Sequence, residues 1–194
     1  MACCGSGQSS ILHIYDELKQ HFNIRVTTLN CFLGLQVERL KDGSLFLHQE
    51  AFTRKILERY GDAKTSHIPV KKSSLKVDYG QPNDDGMIKI KEAKPLSSEI
   101  PYRSVVGSLL YLAMGTRPDI AYAVSLMSRK LNNPTEIDWE IVQTTLRYLR
   151  NTIGHGIVYN NEDDRSLMLF SDADNNSCAE TRRSRTGVIS FYGG

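Results

Sequence analysis

The residues best placed to do chemistry lie near the end of the 194-residue chain, in the run Leu167-Met168-Leu169-Phe170-Ser171-Asp172-Ala173-Asp174. Side chains repeat every two residues along an extended strand, so Asp172 and Asp174 share one side of it. Two neighbouring carboxylates with water can hold a hard divalent cation of the kind used in phosphodiester cleavage. The competing reading is an acidic turn that merely ends a strand, and spacing alone favours it, because D-x-D is short and common. Arg147 and Arg150 form the other suggestive pair, beside the apolar stripe of a helix, where they serve either as phosphate contacts or as a solubilising face. His13, His21, His48, His67 and His155 lack the spacing of zinc ligands. Cys3, Cys4, Cys31 and Cys178 form no C-x-x-C pair and point to a reduced, intracellular chain.

These groups need elements to position them. Ser9 or Ser10 caps an expected helix whose apolar residues Ile11, Ile14, Tyr15, Leu18 and Phe22 keep helical spacing. Leu33, Leu35 and Val37 alternate with polar positions, Asp42-Gly43 punctuates, and Leu45 and Leu47 resume, which is the pattern of a β-hairpin. A helix over 49–60 buries Phe52, Ile56 and Leu57 and stops at Gly61 in the C′ position. From Lys64 to Ser98 seven lysines face four acids with almost no periodic apolar residues, so a solvated, flexible linker is expected.

Three helices should follow. The first, Tyr102 to Met114, turns Val105 or Val106, Leu109, Leu110 and Leu112 inward, and Gly107 and Ser108 are small enough to admit another backbone. Pro118 opens the second, with Ile120, Val124 and Met127 inward. Thr135-x-x-Asp138 caps the third, with Trp139, Val142, Leu146 and Leu149 as its stripe. Short strands at 157–159, 167–171 and 187–192 finish the pattern as an incomplete sheet with no helix to cover one face.

Composition bounds the partners. The 24 lysines and arginines exceed the 22 acids by a net charge of +2, too little for a cationic coat, so any nucleic-acid contact must be local. The apolar run Val105 to Met114 is far shorter than the roughly 20 residues that span a bilayer, and no membrane partner is expected.

Taken in order, several blocks resemble the Pol polyprotein of copia-type retrotransposons. They are Phe32-Leu33-Gly34-Leu35-Gln36-Val37-Glu38, Leu47-His48-Gln49, Lys55-Ile56-Leu57-Glu58-Arg59-Tyr60-Gly61, the run Tyr102 to Leu112, Thr116-Arg117-Pro118-Asp119-Ile120, Leu146-Arg147-Tyr148-Leu149 and Ser171-Asp172-Ala173-Asp174. The resemblance implies an α+β chain: a β-hairpin with flanking helices, a thumb- or connection-like helical bundle, and an incomplete ribonuclease H-like sheet. It divides the chain into the end of a reverse-transcriptase palm (1–62), a flexible linker (63–98), thumb and connection helices (99–153) and truncated ribonuclease H strands (154–194).

The same resemblance assigns roles. Phe32, Leu33 and Gly34 fall on a primer-grip-like hairpin, and Arg117, Arg129, Lys130, Arg147 and Arg150 become candidate phosphate contacts to an RNA–DNA or DNA primer–template duplex. Asp172 falls on the first metal-binding acid of ribonuclease H, with Asp174 beside it, although Asn175 replaces the tryptophan that usually follows. No Tyr-x-Asp-Asp polymerase signature is present. The later ribonuclease H acids would lie beyond Gly194, so the chain is expected to be a catalytically incomplete fragment. Mg²⁺ would serve only in the full-length protein. Partners are the duplex and the remainder of the polyprotein, in the cytoplasm or nucleus. The alternative is a non-enzymatic, transposon-derived remnant acting as a helical interaction module, and placement of the basic residues separates the two: one stripe beside the hairpin favours a grip, scatter favours a remnant.

Overall fold

Alternating apolar residues on both sides of Asp42-Gly43 fold as the sequence pattern requires. In the computed structural model, which describes residues 8–25, 28–71, 79–82, 88–90, 93–160, 166–173, 184 and 186–192, strand β2 (Leu35–Arg39) pairs antiparallel with β3 (Leu45–His48). Gly43 takes φ +88°, and the Ser44 N–H donates to Asp42 Oδ1 at 2.9 Å, which holds the Asp42 carboxyl below its ordinary range. Before the hairpin come helix α1 (Gln8–Lys19), which starts ahead of both serines expected to cap it, and the two-residue strand β1 (Cys31–Phe32). After it come α2 (Glu50–Tyr60), β4 (Tyr79–Pro82), β5 (Ile88–Ile90), α3 (Tyr102–Gly115), a 3₁₀ turn at Pro118–Ile120, α4 (Ala121–Ser128), α5 (Glu136–Asn151), β6 (Gly156–Tyr159), β7 (Leu167–Ala173) and β8 (Thr186–Tyr192). The chain is mixed helix and antiparallel sheet, an α+β fold.

Caps explain two helix ends. Thr135 accepts from the Asp138 N–H while the Asp138 carboxylate accepts from the Thr135 N–H, the reciprocal box expected from that spacing. Gly61 does end α2, but in extended rather than left-handed backbone. Its hydrogen is needed for a different reason: a Cβ there would sit 2.7 Å from the Leu57 carbonyl oxygen.

Helical spacing then builds one core. Ile56 and Leu57 of α2 pack with Val105, Leu109 and Leu112 of α3, Val124 and Met127 of α4, and Val142, Leu146 and Leu149 of α5. Leu110, expected inward, is exposed, because it falls about 100° around α3 from Leu109, off the face that buries Val105, Leu109 and Leu112. Gly107 is exposed too, and no other backbone approaches it.

Two sets of contacts cross the expected divisions. β6, assigned by resemblance to the last segment, pairs antiparallel with β3 and completes the sheet β1-β2-β3-β6, whereas among the described residues β7 and β8 pair only with each other. The hairpin, α2, the three later helices and β6 therefore form one packed unit. The described residues of the 63–98 segment make contacts of their own. Ser66 N–H donates to the Arg147 carbonyl, Thr145 Oγ1 donates to the Pro69 carbonyl, Leu96 N–H donates to the Pro134 carbonyl, and β4 pairs with β5. Backbone hydrogen bonds, which leave no apolar periodicity to read, supply this order.

Directly opposed residues share a sheet face, so Leu35, Val37, Leu45, Leu47 and Ile157 lie on one side of the sheet, and all five are half-buried and lie outside the helical core. Gln36, Glu38, Phe46 and His48 lie on the other; His48 is buried, 3.1 Å from Glu38 and stacked on Phe46. The β7–β8 hairpin exposes apolar residues on both faces, with Leu167, Leu169 and Val188 on one and Met168, Phe170, Ile189 and Phe191 on the other.

Candidate nucleic-acid interface

The Phe32-Leu33-Gly34 block forms the tight turn between β1 and β2. Leu33 has φ +51°, the one non-glycine residue with positive φ among those described, and Gly34 has φ +80°. Two successive left-handed residues push Leu33 outward, leaving it 78% exposed, with Phe32 beside it also exposed. The turn is fastened from α3: the Tyr111 hydroxyl donates to the Leu33 carbonyl at 2.8 Å, and Tyr111 Oη occupies the space where a Cβ on residue 34 would stand. The Tyr111 ring is braced edge-on by Phe52 of α2, centroids 5.0 Å apart. Tyr111 shares its helix face with Gly107 and Met114, the latter 80% exposed. An apolar tip and an open glycine-bearing helix face thus adjoin.

The candidate arginines are placed differently from the expectation. Arg117 is 2% exposed and works inside the fold: Nε and Nη2 donate to the Asp119 carboxylate, and Nη1 donates to the Thr152 carbonyl at 2.9 Å. Nη2 reaches Thr152 Oγ1 as well, and the guanidinium lies over the Tyr148 ring. In place of a phosphate, Arg117 holds the start of the 3₁₀ turn to the end of α5. Burial would raise the Asp119 carboxyl, but hydrogen bonds and charge from Arg117, helped by the Tyr148 hydroxyl, bring it below the ordinary range. Burial and that same bond to Asp119 raise the Tyr148 phenol.

Arg147 is half-buried and donates to Asp62 from Nε at 3.0 Å and Nη2 at 2.6 Å, a bidentate pair that lowers the Asp62 carboxyl and locks α5 to the end of α2. Arg150 is half-buried with its Nε lacking a hydrogen-bond partner. Arg129 is exposed and Lys130 half-buried just after α4. The five basic candidates are thus spread over the helices rather than drawn into one stripe at the hairpin.

Asp172 is exposed near the end of β7, opposite Gly187, and Asp174 lies outside the described residues. Among the described residues no three His, Cys, Asp or Glu side chains come together to hold a metal ion. Asp172 by itself does not fit Mg²⁺, which needs several oxygen ligands.

Several groups escaped the sequence reading. Asp119, Tyr148 and Thr152 surround the Arg117 guanidinium, and Asp119, Tyr148 and Arg117 line a cavity of about 400 Å³ with Phe46 and His155. Gln49, expected only as a helix start, is buried and accepts from the Thr116 hydroxyl. The signal for Tyr111 was its spacing four residues after Gly107 on one helix face. Among the described residues no helix is long and apolar enough to cross a membrane.

No family model matches the chain, and no solved structure matches it. An uncharacterized mitochondrial protein of Arabidopsis thaliana is 31% identical over 97% of this chain and 74% of its own length. The retrovirus-related Pol polyprotein from transposon TNT 1-94 of Nicotiana tabacum is 31% identical over the whole chain and 14% of its own length. That from transposon RE2 of Arabidopsis thaliana is 32% identical over 97% of the chain and 12% of its own. The chain therefore corresponds to a small region of those polyproteins, and on these matches it belongs to the Pol polyprotein family of copia-type retrotransposons.

Proposed function

We propose that the chain is the part of a retrotransposon reverse transcriptase that grips an RNA–DNA or DNA primer–template duplex during RNA-templated DNA synthesis by the full-length protein. Its parts are a palm end bearing the hairpin, thumb- and connection-like helices, and the first strands of a ribonuclease H-like sheet. The observation that carries the reading is the display of Phe32, Leu33 and Gly34 as a strained, exposed tip fastened to the outer face of α3. Apolar residues on both faces of the β7–β8 hairpin suit strands destined for the interior of a larger sheet, which the remainder of the polyprotein would supply.

Mg²⁺ would be held at Asp172 only with carboxylates beyond the described set, so no catalytic step is assigned to this chain. The place of action is the cytoplasm or nucleus.

A second reading, a non-enzymatic transposon-derived remnant acting as a helical interaction module, draws support from the scatter of the five basic candidates over the helices and from the internal engagement of Arg117 and Arg147. Salt titration separates the two. A duplex grip gives binding to a primer–template duplex that weakens as salt rises from about 50 to about 200 mM, by counterion release. Absence of binding even at the low end contradicts the grip.

A further inference from the structure

We propose that Tyr111 is a positioning residue that holds the Phe32–Gly34 tip in its binding conformation by a single hydroxyl. The inference rests on the duplex-grip reading above and extends it to a residue on a different element.

The argument begins with strain. A leucine in left-handed backbone is unfavourable because its Cβ crowds the chain, and such conformations persist where the surroundings over-determine them. Here the surroundings are the two-residue loop closed by the Phe32–Leu35 pair and one side-chain atom. Tyr111 Oη donates to the carbonyl of the strained residue and lies against the α-carbon side of Gly34, so it satisfies the turn's outward carbonyl and fills the space that only a glycine leaves. The Tyr111 ring cannot swing freely, because Phe52 meets it edge-on and is itself packed against the helical core. The chain of contact therefore runs from core to Phe52, to Tyr111, to the tip.

The Phe32–Leu35 pair closes a two-residue hairpin loop, whose favoured geometry takes positive φ at both Leu33 and Gly34, so sheet pairing sets the turn type while Tyr111 fixes where the tip sits. β1 contributes only two residues to the sheet, so the Tyr111 hydroxyl adds a tie from the tip to α3 that this short ladder does not supply. Tyr111 is also half-exposed on the face it shares with Gly107 and Met114, so it sets the angle between the tip and that face. Together these two surfaces would straddle a duplex strand.

The test is Tyr111→Phe in the full 194-residue chain, which removes the hydroxyl and keeps the ring against Phe52. Affinity for a primer–template duplex should fall about fivefold, the usual worth of one hydrogen bond. The slope of affinity against salt should not change, since no phosphate contact is lost. Amide exchange over 31–36 should accelerate while the α5 helix keeps its protection, a local signature that general destabilisation would not give. Gly34→Ala should weaken binding less in the Y111F background than in the wild type, because the added methyl then meets no hydroxyl. Wild-type binding with unchanged affinity and exchange in Y111F would overturn the inference alone. A wild-type chain that binds no duplex would overturn the grip reading, and the inference with it.

Discussion

Replacing Arg117 with methionine is expected to destabilise the protein by about 3 kcal/mol, measured as the shift in urea midpoint at neutral pH. Methionine preserves much of the length and apolar volume of the side chain but none of its donors. The Asp119 carboxylate, the Thr152 carbonyl and the Thr152 hydroxyl would all lose the guanidinium that serves them. Breaking a buried pair costs about 3–5 kcal/mol, and the lower end applies because Asp119 keeps a third of its side chain in water. Lysine should recover only part of the loss, since one ammonium cannot span Asp119 and Thr152 as the planar fork does. The pH dependence has a definite sign. Asp119 has a lowered pKa in the fold, so its contribution is full above the unfolded carboxylate range and disappears as pH falls through the folded value. The gap between wild type and R117M should therefore narrow in acid. An Arg117 that served as an external phosphate contact would give a variant of unchanged stability and weaker duplex binding instead.

The second large effect concerns the unity of the hairpin and helical regions. Leu57→Ala in α2 should cost about 2–5 kcal/mol, because Leu57 is 4% exposed and its truncation leaves a cavity in a shared core. The chain has one tryptophan, Trp139 in α5, which packs against that core and reports on it by fluorescence. The Trp139 transition should move by the full amount and stay a single step. If residues 1–62 and 99–153 were independent domains, truncation in α2 would leave the Trp139 transition where it was.

That division by resemblance is the instructive departure. Periodicity in 49–60, 102–114 and 136–149 read the helices and most inward residues correctly, since each pattern repeats within one element. The Thr135–Asp138 box and the Asp42-Gly43 turn were legible for the same reason, both being local contacts. Pairing of β6 with β3 is not local: it joins residues more than 100 positions apart, and nothing in Gly156-Ile157-Val158-Tyr159 names its partner. The inward engagement of Arg117 and Arg147 was not legible for a related cause. A formal charge reads as surface, and the groups that bury Arg117, Tyr148 and Thr152, lie on a different helix. At the tip, Phe32-Leu33-Gly34 was legible as a block, but its positive φ values and the reach of Tyr111 across 78 positions were not.

The most direct test of the duplex grip places a photo-crosslinking residue at Leu33, at Met114 or at Ile137, an exposed residue of α5. With a primer–template duplex bound, the account predicts crosslinks to nucleic acid from Leu33 and Met114 and none from Ile137. Crosslinks from Ile137 alone, or from none of the three positions, would contradict it.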